Sequence, residues 1–276
     1  MVTVGLHQGG VMMTNSATGF RVTRTPADRA GAPTLLLIHG FLDDATVWDG
    51  LVECLAGEVG AVRYDLPGFG TRSGSVADAS VVTLKSLATE AAEIVASIDG
   101  PVIVVGQSLG TQVAELVAAQ HPDRVCGLVL LTPVPLGGTQ LPDEVVAPFR
   151  ALGGDRAAQR RLRAELSPHL DEELLDRLTG IGVPVGREVT AHYVDVWNNG
   201  ISDASATSAY RGPVMIIRGG ADGFVTEQLV DAISPRFDQP EAKVIDKGGH
   251  WVHAEYPGTV ATMILDFIDA IEEVAK

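Results

Sequence analysis

The sequence predicts an open, mostly parallel α/β sheet with helices on both faces and a helical cap inserted before the last strands. Two patterns carry this reading: short apolar runs alternate with amphipathic helical stretches, and one charge-rich stretch interrupts the alternation. The runs lie at 34–38 (TLLLI), 61–65 (AVRYD), 101–106 (PVIVVG), 125–131 (VCGLVLL), 213–218 (PVMIIR) and 242–246 (AKVID). Being short, β-rich and without polar alternation, they suit strands buried on both faces. Between them, Leu84, Leu87, Ala91, Ile94, Val95 and Ile98 recur at three- and four-residue spacing, which gives a helix one apolar face. Val113, Leu116 and Val117 repeat the pattern, as do Ile264, Phe267, Ile268 and Ile271 near the C-terminus. The stretch 134–209 has no strong strand run; after Pro133, Pro135, Gly137 and Gly138 it continues in helical segments at 155–166, 171–178 and 188–198. The expected organisation is a core of residues 1–133 and 210–276 with 134–209 as the inserted cap.

With 276 residues, 46% of them hydrophobic, the chain is large enough for one sizeable domain. Acidic residues outnumber basic ones by 35 to 20, a formal charge of −15 that repels nucleic acid and anionic membranes. No apolar run approaches the roughly 18–20 residues that cross a bilayer, and residues 1–10 lack the basic and apolar regions of a secretory signal. The expected partner is therefore a small-molecule substrate, the expected location cytoplasmic, and the oligomeric state is left open. Cys54 and Cys126 read as small buried apolar residues, not as a disulfide or metal pair.

The segment Gly106-Gln107-Ser108-Leu109-Gly110 follows an apolar strand and precedes an amphipathic helix. This is the context of a G-x-S-x-G nucleophile elbow, in which a sharp turn pushes a serine out at the carboxyl edge of the sheet. A serine nucleophile needs a base, and the base needs an orienting acid. His250, after the last predicted strand in Gly248-Gly249-His250, is the expected base; His7, His121, His169 and His192 fall in the N-terminal tail, at a helix end or in the cap. The pair His250 and His253 lacks further clustered ligands, so no metal is expected. The loop after 125–131 holds no carboxylate before Asp143, whereas the loop after 213–218 offers Asp222. Asp222 is the expected acid, with an ordinary turn aspartate before glycine as the alternative. An oxyanion hole needs two convergent backbone amides. Leu109, after the nucleophile, and Phe41, in His39-Gly40-Phe41 after the run 34–38, would supply them, with Gly40 permitting the turn. Asp43 and Asp44 read as helix-start residues. Gly68-Phe69-Gly70 reads as a structural turn, because Gly74 falls one residue too far for a dinucleotide loop.

Together, His39-Gly40-Phe41, Asp65-Leu66-Pro67-Gly68-Phe69-Gly70, the Ser108 segment, Asp222 and Gly249-His250 resemble the α/β-hydrolase superfamily over about residues 34–271. The resemblance is to its capped esterase, lactonase and C–C hydrolase branch, and it implies the α/β-hydrolase fold, no cofactor, and a pocket between cap and sheet above Ser108. Ser108-Leu109 stands where haloalkane dehalogenases carry an aspartate usually followed by tryptophan, and Leu109 departs from the histidine favoured by cofactor-free dioxygenases. The expected reaction is hydrolysis of a carboxylic ester or lactone through an acyl-enzyme. C–C hydrolysis of a β-diketone or vinylogous keto acid, and a ligand receptor of the same shape, are the alternatives. Gly40, Val134, Leu136, Trp197 and Trp251, with Phe149, His192 and Val196, outline an expected apolar pocket. A cation near the site would favour the acidic substrates of C–C hydrolysis; Arg150, Arg160, Arg161 and Arg163 are the candidates, with a solvated helix face as their default reading.

Overall fold

The structure, a computed structural model, describes residues 5–6, 11–15, 19–76 and 78–274, so His7 and most of residues 1–10 lie outside it. The described strands are β1 (Gly5–Leu6), β2 (Met12–Asn15), β3 (Arg21–Thr25), β4 (Thr34–Ile38), β5 (Gly60–Tyr64), β6 (Val102–Gln107), β7 (Val125–Leu131), β8 (Val214–Gly219) and β9 (Glu241–Ile245). They form one sheet in the order β1-β2-β3-β5-β4-β6-β7-β8-β9. The pairings from β5 through β4 to β9 are parallel, and β1 to β3 extend the β5 edge antiparallel. Each of the six apolar runs in the sequence lies within one residue of a parallel strand.

The helices are α1 (Asp49–Cys54), α2 (Leu84–Ala96), α3 (Leu109–Gln120), α4 (Asp143–Arg150), α5 (Arg156–Leu166), α6 (Glu172–Gly182), α7 (Arg187–Asn199), α8 (Glu227–Ile233), α9 (Val252–Glu255) and α10 (Pro257–Val274). Side-chain alternation along β4 divides the core in two. Leu36 and Ile38 pack on one face with Leu87 and Ala91 of α2 and Val113 and Val117 of α3. Leu35 and Leu37 pack on the other with Leu51 of α1 and Ile264 and Phe267 of α10. Residues without a polar face thus form strands that helices cover twice.

Helix α2 starts where Thr83 and Ser86 close a capping box, and Asp155 and Asp171 cap α5 and α6 by accepting from Ala158 N and Leu174 N. Helices α4 to α7 occupy the connection from β7 to β8, which contains no strand among the described residues. Arg150 pairs there with Asp143 and Asp195, and Arg160 with Glu172 and Asp176. No helix among the described residues is long and apolar enough to cross a membrane.

The cysteines require a correction. Cys54 is exposed, because α1 turns Leu51 and Val52 inward and leaves Cys54 on its outer side. Cys126 is half-buried, and that burial pushes its thiol up.

The sheet order reverses at β4, whose neighbours β5 and β6 follow it in sequence on opposite sides. Crevices at the carboxyl ends of such strands are the places where open α/β sheets bind ligands. Here the loops after β4 and β6 stand side by side, with Ile38 paired to Gly106.

Candidate active site

Ser108 joins β6 to α3 with φ +51° and ψ −122°, a left-handed backbone strained for a serine. The flanking glycines make the turn possible. A Cβ at Gly106 would stand 2.3 Å from Gly110 O, and one at Gly110 would stand 2.3 Å from Ile38 O. Leu109 opens α3, so its N–H is free of intrahelical bonding. Neither it nor the Phe41 N–H donates to another group among the described residues. Unpartnered amides at a buried edge call for an explanation.

His39 fixes the loop that carries Phe41. Its Nε2 accepts from Leu66 N at 2.9 Å, which leaves Nδ1–H to donate to Gly40 O at 2.8 Å. Gly40 itself packs against Gln107, where a Cβ would come within 2.1 Å of Oε1. It supports the loop from beneath and does not line the cavity, contrary to expectation.

Asp222 and His250 come together from the loops after β8 and β9. Asp222 Oδ2 accepts from His250 Nδ1 at 2.8 Å, while its Oδ1 accepts from Phe224 N at 2.8 Å and Val225 N at 3.1 Å. With Nδ1 committed to the carboxylate, Nε2 is the ring nitrogen left to accept a proton.

The backbone of His250 is anchored from both sides. Its carbonyl accepts from Gln107 Nε2 and Thr132 Oγ1, each at 3.0 Å, and its N–H donates to Leu166 O at 3.0 Å. Glu255 accepts from Gly249 N, Trp251 N and Ser167 Oγ, and burial pushes its carboxyl up. Ser108 and His250 line the same cavity, although no hydrogen bond joins them among the described residues. Such bonds commonly tighten only when substrate is present.

The cavity above Ser108 is small, about 40 Å³. Val134, Leu162, Leu166 and Trp251 form apolar walls beside Phe149, Trp197 and Phe224. The last three make an aromatic cluster with ring centroids 5.7–6.1 Å apart, and Phe224 stands edge-on to the His250 ring at 6.0 Å. Three more expected pocket residues lie elsewhere. Leu136 is buried off the cavity, its carbonyl accepting from Ile201 N, His192 Nε2 bonds Val82 O, and Val196 packs at the edge of the core.

Of the four arginines, only Arg163 reaches the cavity, and it is 2% exposed. It pairs with Asp43 Oδ1 at 2.9 Å, donates to Leu42 O at 2.6 Å, and lies 4.6 Å from the Trp251 ring. Asp43 Oδ2 accepts from Trp251 Nε1 at 2.8 Å. Asp44 does cap the turn Ala45–Trp48, but Asp43 is the buried counter-ion of Arg163 and starts no helix. The sequence held a signal for this: Gln159, Leu162, Arg163 and Leu166 share one i, i+3, i+4, i+7 stripe of α5, so Arg163 faces inward with the leucines. His253, weighed above as a metal ligand, packs 4.3 Å from the Trp48 ring with both ring nitrogens unpartnered. Burial holds its imidazole down at about 3.

A profile of the alpha/beta hydrolase family matches residues 35–263. The chain is similar to monoacylglycerol lipase ABHD6 of Rattus norvegicus, with 24% identity over 87% of this chain and 76% of the relative. It is also similar to lipase LipV of Mycobacterium tuberculosis, with 30% identity over 85% of this chain and 93% of that one. Among solved structures, an esterase from Exiguobacterium antarcticum superposes with a TM-score of 0.79 at 14% identity, covering 93% of this chain and 98% of its own, a likeness of fold. The chain belongs to the alpha/beta hydrolase family.

Proposed function

We propose that this hydrolase cleaves a small, largely hydrophobic carboxylic ester or lactone through an acyl-enzyme on Ser108. The observation that carries the reading is the His250–Asp222 contact of 2.8 Å, which leaves His250 Nε2 as the available base in the cavity that Ser108 lines. In this mechanism His250 Nε2 takes the Ser108 proton as Oγ bonds to the carbonyl carbon. The carbonyl electron pair moves onto oxygen, where the Phe41 and Leu109 amides hold it. The ester C–O bond then breaks, and His250 returns the proton to the leaving alkoxide. Water repeats the sequence on the acyl-enzyme and releases the acid and free Ser108. Asp222 keeps the imidazole in the productive tautomer and stabilises its cation throughout.

Arg163 bears on the C–C hydrolysis alternative. Its charge is matched by Asp43 inside the cavity wall, so an acidic substrate would find no surplus cation there. A neutral ester or lactone fits that balance better. The test is turnover of p-nitrophenyl butyrate, a γ-lactone and a vinylogous keto acid by the wild type and Ser108→Ala. The proposal expects ester or lactone hydrolysis that Ser108→Ala abolishes; equal rates in both proteins would overturn it, and no turnover with any substrate would favour a receptor of this shape.

A further inference from the structure

Leu42 directly follows Phe41, the expected oxyanion donor, and has φ +62°, the left-handed backbone that favours glycine. A buried leucine stays in such a conformation only where its surroundings hold it there. What holds it is a side chain of the cap. Arg163 of α5 donates from Nη2 to Leu42 O at 2.6 Å and from Nη1 to Asp43 Oδ1 at 2.9 Å, so one guanidinium grips two successive residues of the loop. A planar fork can make both bonds at once, whereas an ammonium acts as a single point charge. Gly182 of α6 leaves room for the grip, since a Cβ there would stand 2.9 Å from Leu42 O and 3.3 Å from Arg163 Nη2. Arg163 and Asp43 are both buried, so water does not weaken these bonds. The loop is thus secured on both sides of Phe41: His39 Nδ1–H donates to Gly40 O before it, and Arg163 to Leu42 O after it. The last turn of the same helix also receives the His250 N–H, on Leu166 O at 3.0 Å.

We propose that Arg163 is a positioning residue for the oxyanion hole: it holds Leu42 in the left-handed conformation that aims the Phe41 N–H at the substrate's carbonyl oxygen, so that cap helix α5 completes the hole it covers. This rests on the ester hydrolase reading above. Relaxation of Leu42 to a right-handed or extended backbone would re-aim the chain at its neighbour Phe41 and leave the Leu109 N–H to hold the oxyanion alone. Loss of one oxyanion donor lowers kcat by about 10²–10³-fold, and a donor that is present but misaimed forfeits part of that. The ground-state carbonyl oxygen carries no full charge, so KM changes little.

The test measures kcat and KM for p-nitrophenyl butyrate, and the inhibition constant Ki of an alkyl trifluoromethyl ketone, in the wild type and Arg163→Lys. Ser108 Oγ adds to the ketone carbon, its proton passes to His250 Nε2, and the carbonyl oxygen becomes an oxyanion, so the inhibitor fills the hole as the transition state does. Arg163→Lys keeps a cation for Asp43 and loses the fork. It should lower kcat by about tenfold to a hundredfold, raise Ki in the same proportion, and leave KM within about threefold. Neither KM nor Ki depends on the amount of active enzyme, so a misfolded fraction does not disturb them. If Arg163→Lys does not fold, the double variant Arg163→Met with Asp43→Asn, which leaves no buried charge unpaired, takes its place with the same expectation. The pH midpoint of kcat/KM should stay at the wild-type value, because His250 keeps its contact with Asp222. A folded variant with unchanged Ki, whether or not kcat falls, overturns the assignment and leaves the ester hydrolase intact. A shifted pH midpoint also overturns it, because the effect would then act on His250. Absence of turnover by the wild type overturns the underlying reading instead.

Discussion

Replacing His253 by leucine tests how burial governs the ionisation of a histidine three residues beyond the candidate base. The imidazole is fully buried against Trp48 with neither nitrogen bonded, and desolvation lowers it from 6.5 to about 3. Below pH 6.5 the unfolded chain takes up a proton at this site, while the folded chain does not until about pH 3. The contribution of His253 is thus fully present above pH 6.5 and is lost as pH falls towards 3. Between pH 7 and pH 4.5 the loss is about 2–3 kcal/mol, equivalent in a chain of this length to about 3–5 °C in Tm. Leucine has a similar volume, suits a helix, and carries no titrating group. Urea or thermal unfolding of both proteins across that range should show the variant gaining about 2–3 kcal/mol on the wild type as the pH falls. A stability difference that stays constant with pH would refute the argument, because it would mean that His253 titrates alike in the folded and unfolded chains.

Three further substitutions probe the geometry around Ser108. Asp222→Asn should lower kcat by about 10³–10⁴-fold with little change in Tm, because the imidazole would be held in the wrong tautomer; steady-state kinetics beside a melting curve checks it. Arg163→Met leaves Asp43 buried and unpaired and should cost about 3–5 kcal/mol in urea unfolding, part of which Asp43→Asn recovers in the double variant. Gly110→Ala drives a Cβ to within 2.3 Å of Ile38 O; circular dichroism and urea unfolding should show a loss of about 3 kcal/mol or a failure to fold.

What the sequence revealed follows from how local the governing physics is. The strands β4 to β9 were legible because burial on both faces leaves runs such as TLLLI and VCGLVLL without polar residues. The Ser108 turn was legible because its backbone demands glycine two residues before and two after. The juxtaposition of Asp222 with His250 could be anticipated because both loops leave the same edge of the sheet. Contacts across long sequence separation were less legible. Asp43 and Arg163 lie 120 residues apart, and only the docking of α5 over the β4 loop shows that the first is a counter-ion and the second part of the cavity wall. Gln107 occupies a variable position of the Ser108 motif and carries no signal of its own there, yet its amide secures the His250 carbonyl. Glu255 drew no notice as one acid among many, yet it gathers the amides on either side of His250. Cys54 was misplaced because α1 is short and its apolar stripe ends before that residue.

Ser108 as the nucleophile is tested most directly by the intact mass and peptide map of the protein after reaction with an alkyl fluorophosphonate. A single adduct on Ser108 is expected, formed in step with loss of ester hydrolysis and absent from Ser108→Ala. An unlabelled wild type, or a Ser108→Ala protein that hydrolyses esters as fast as the wild type, would contradict it.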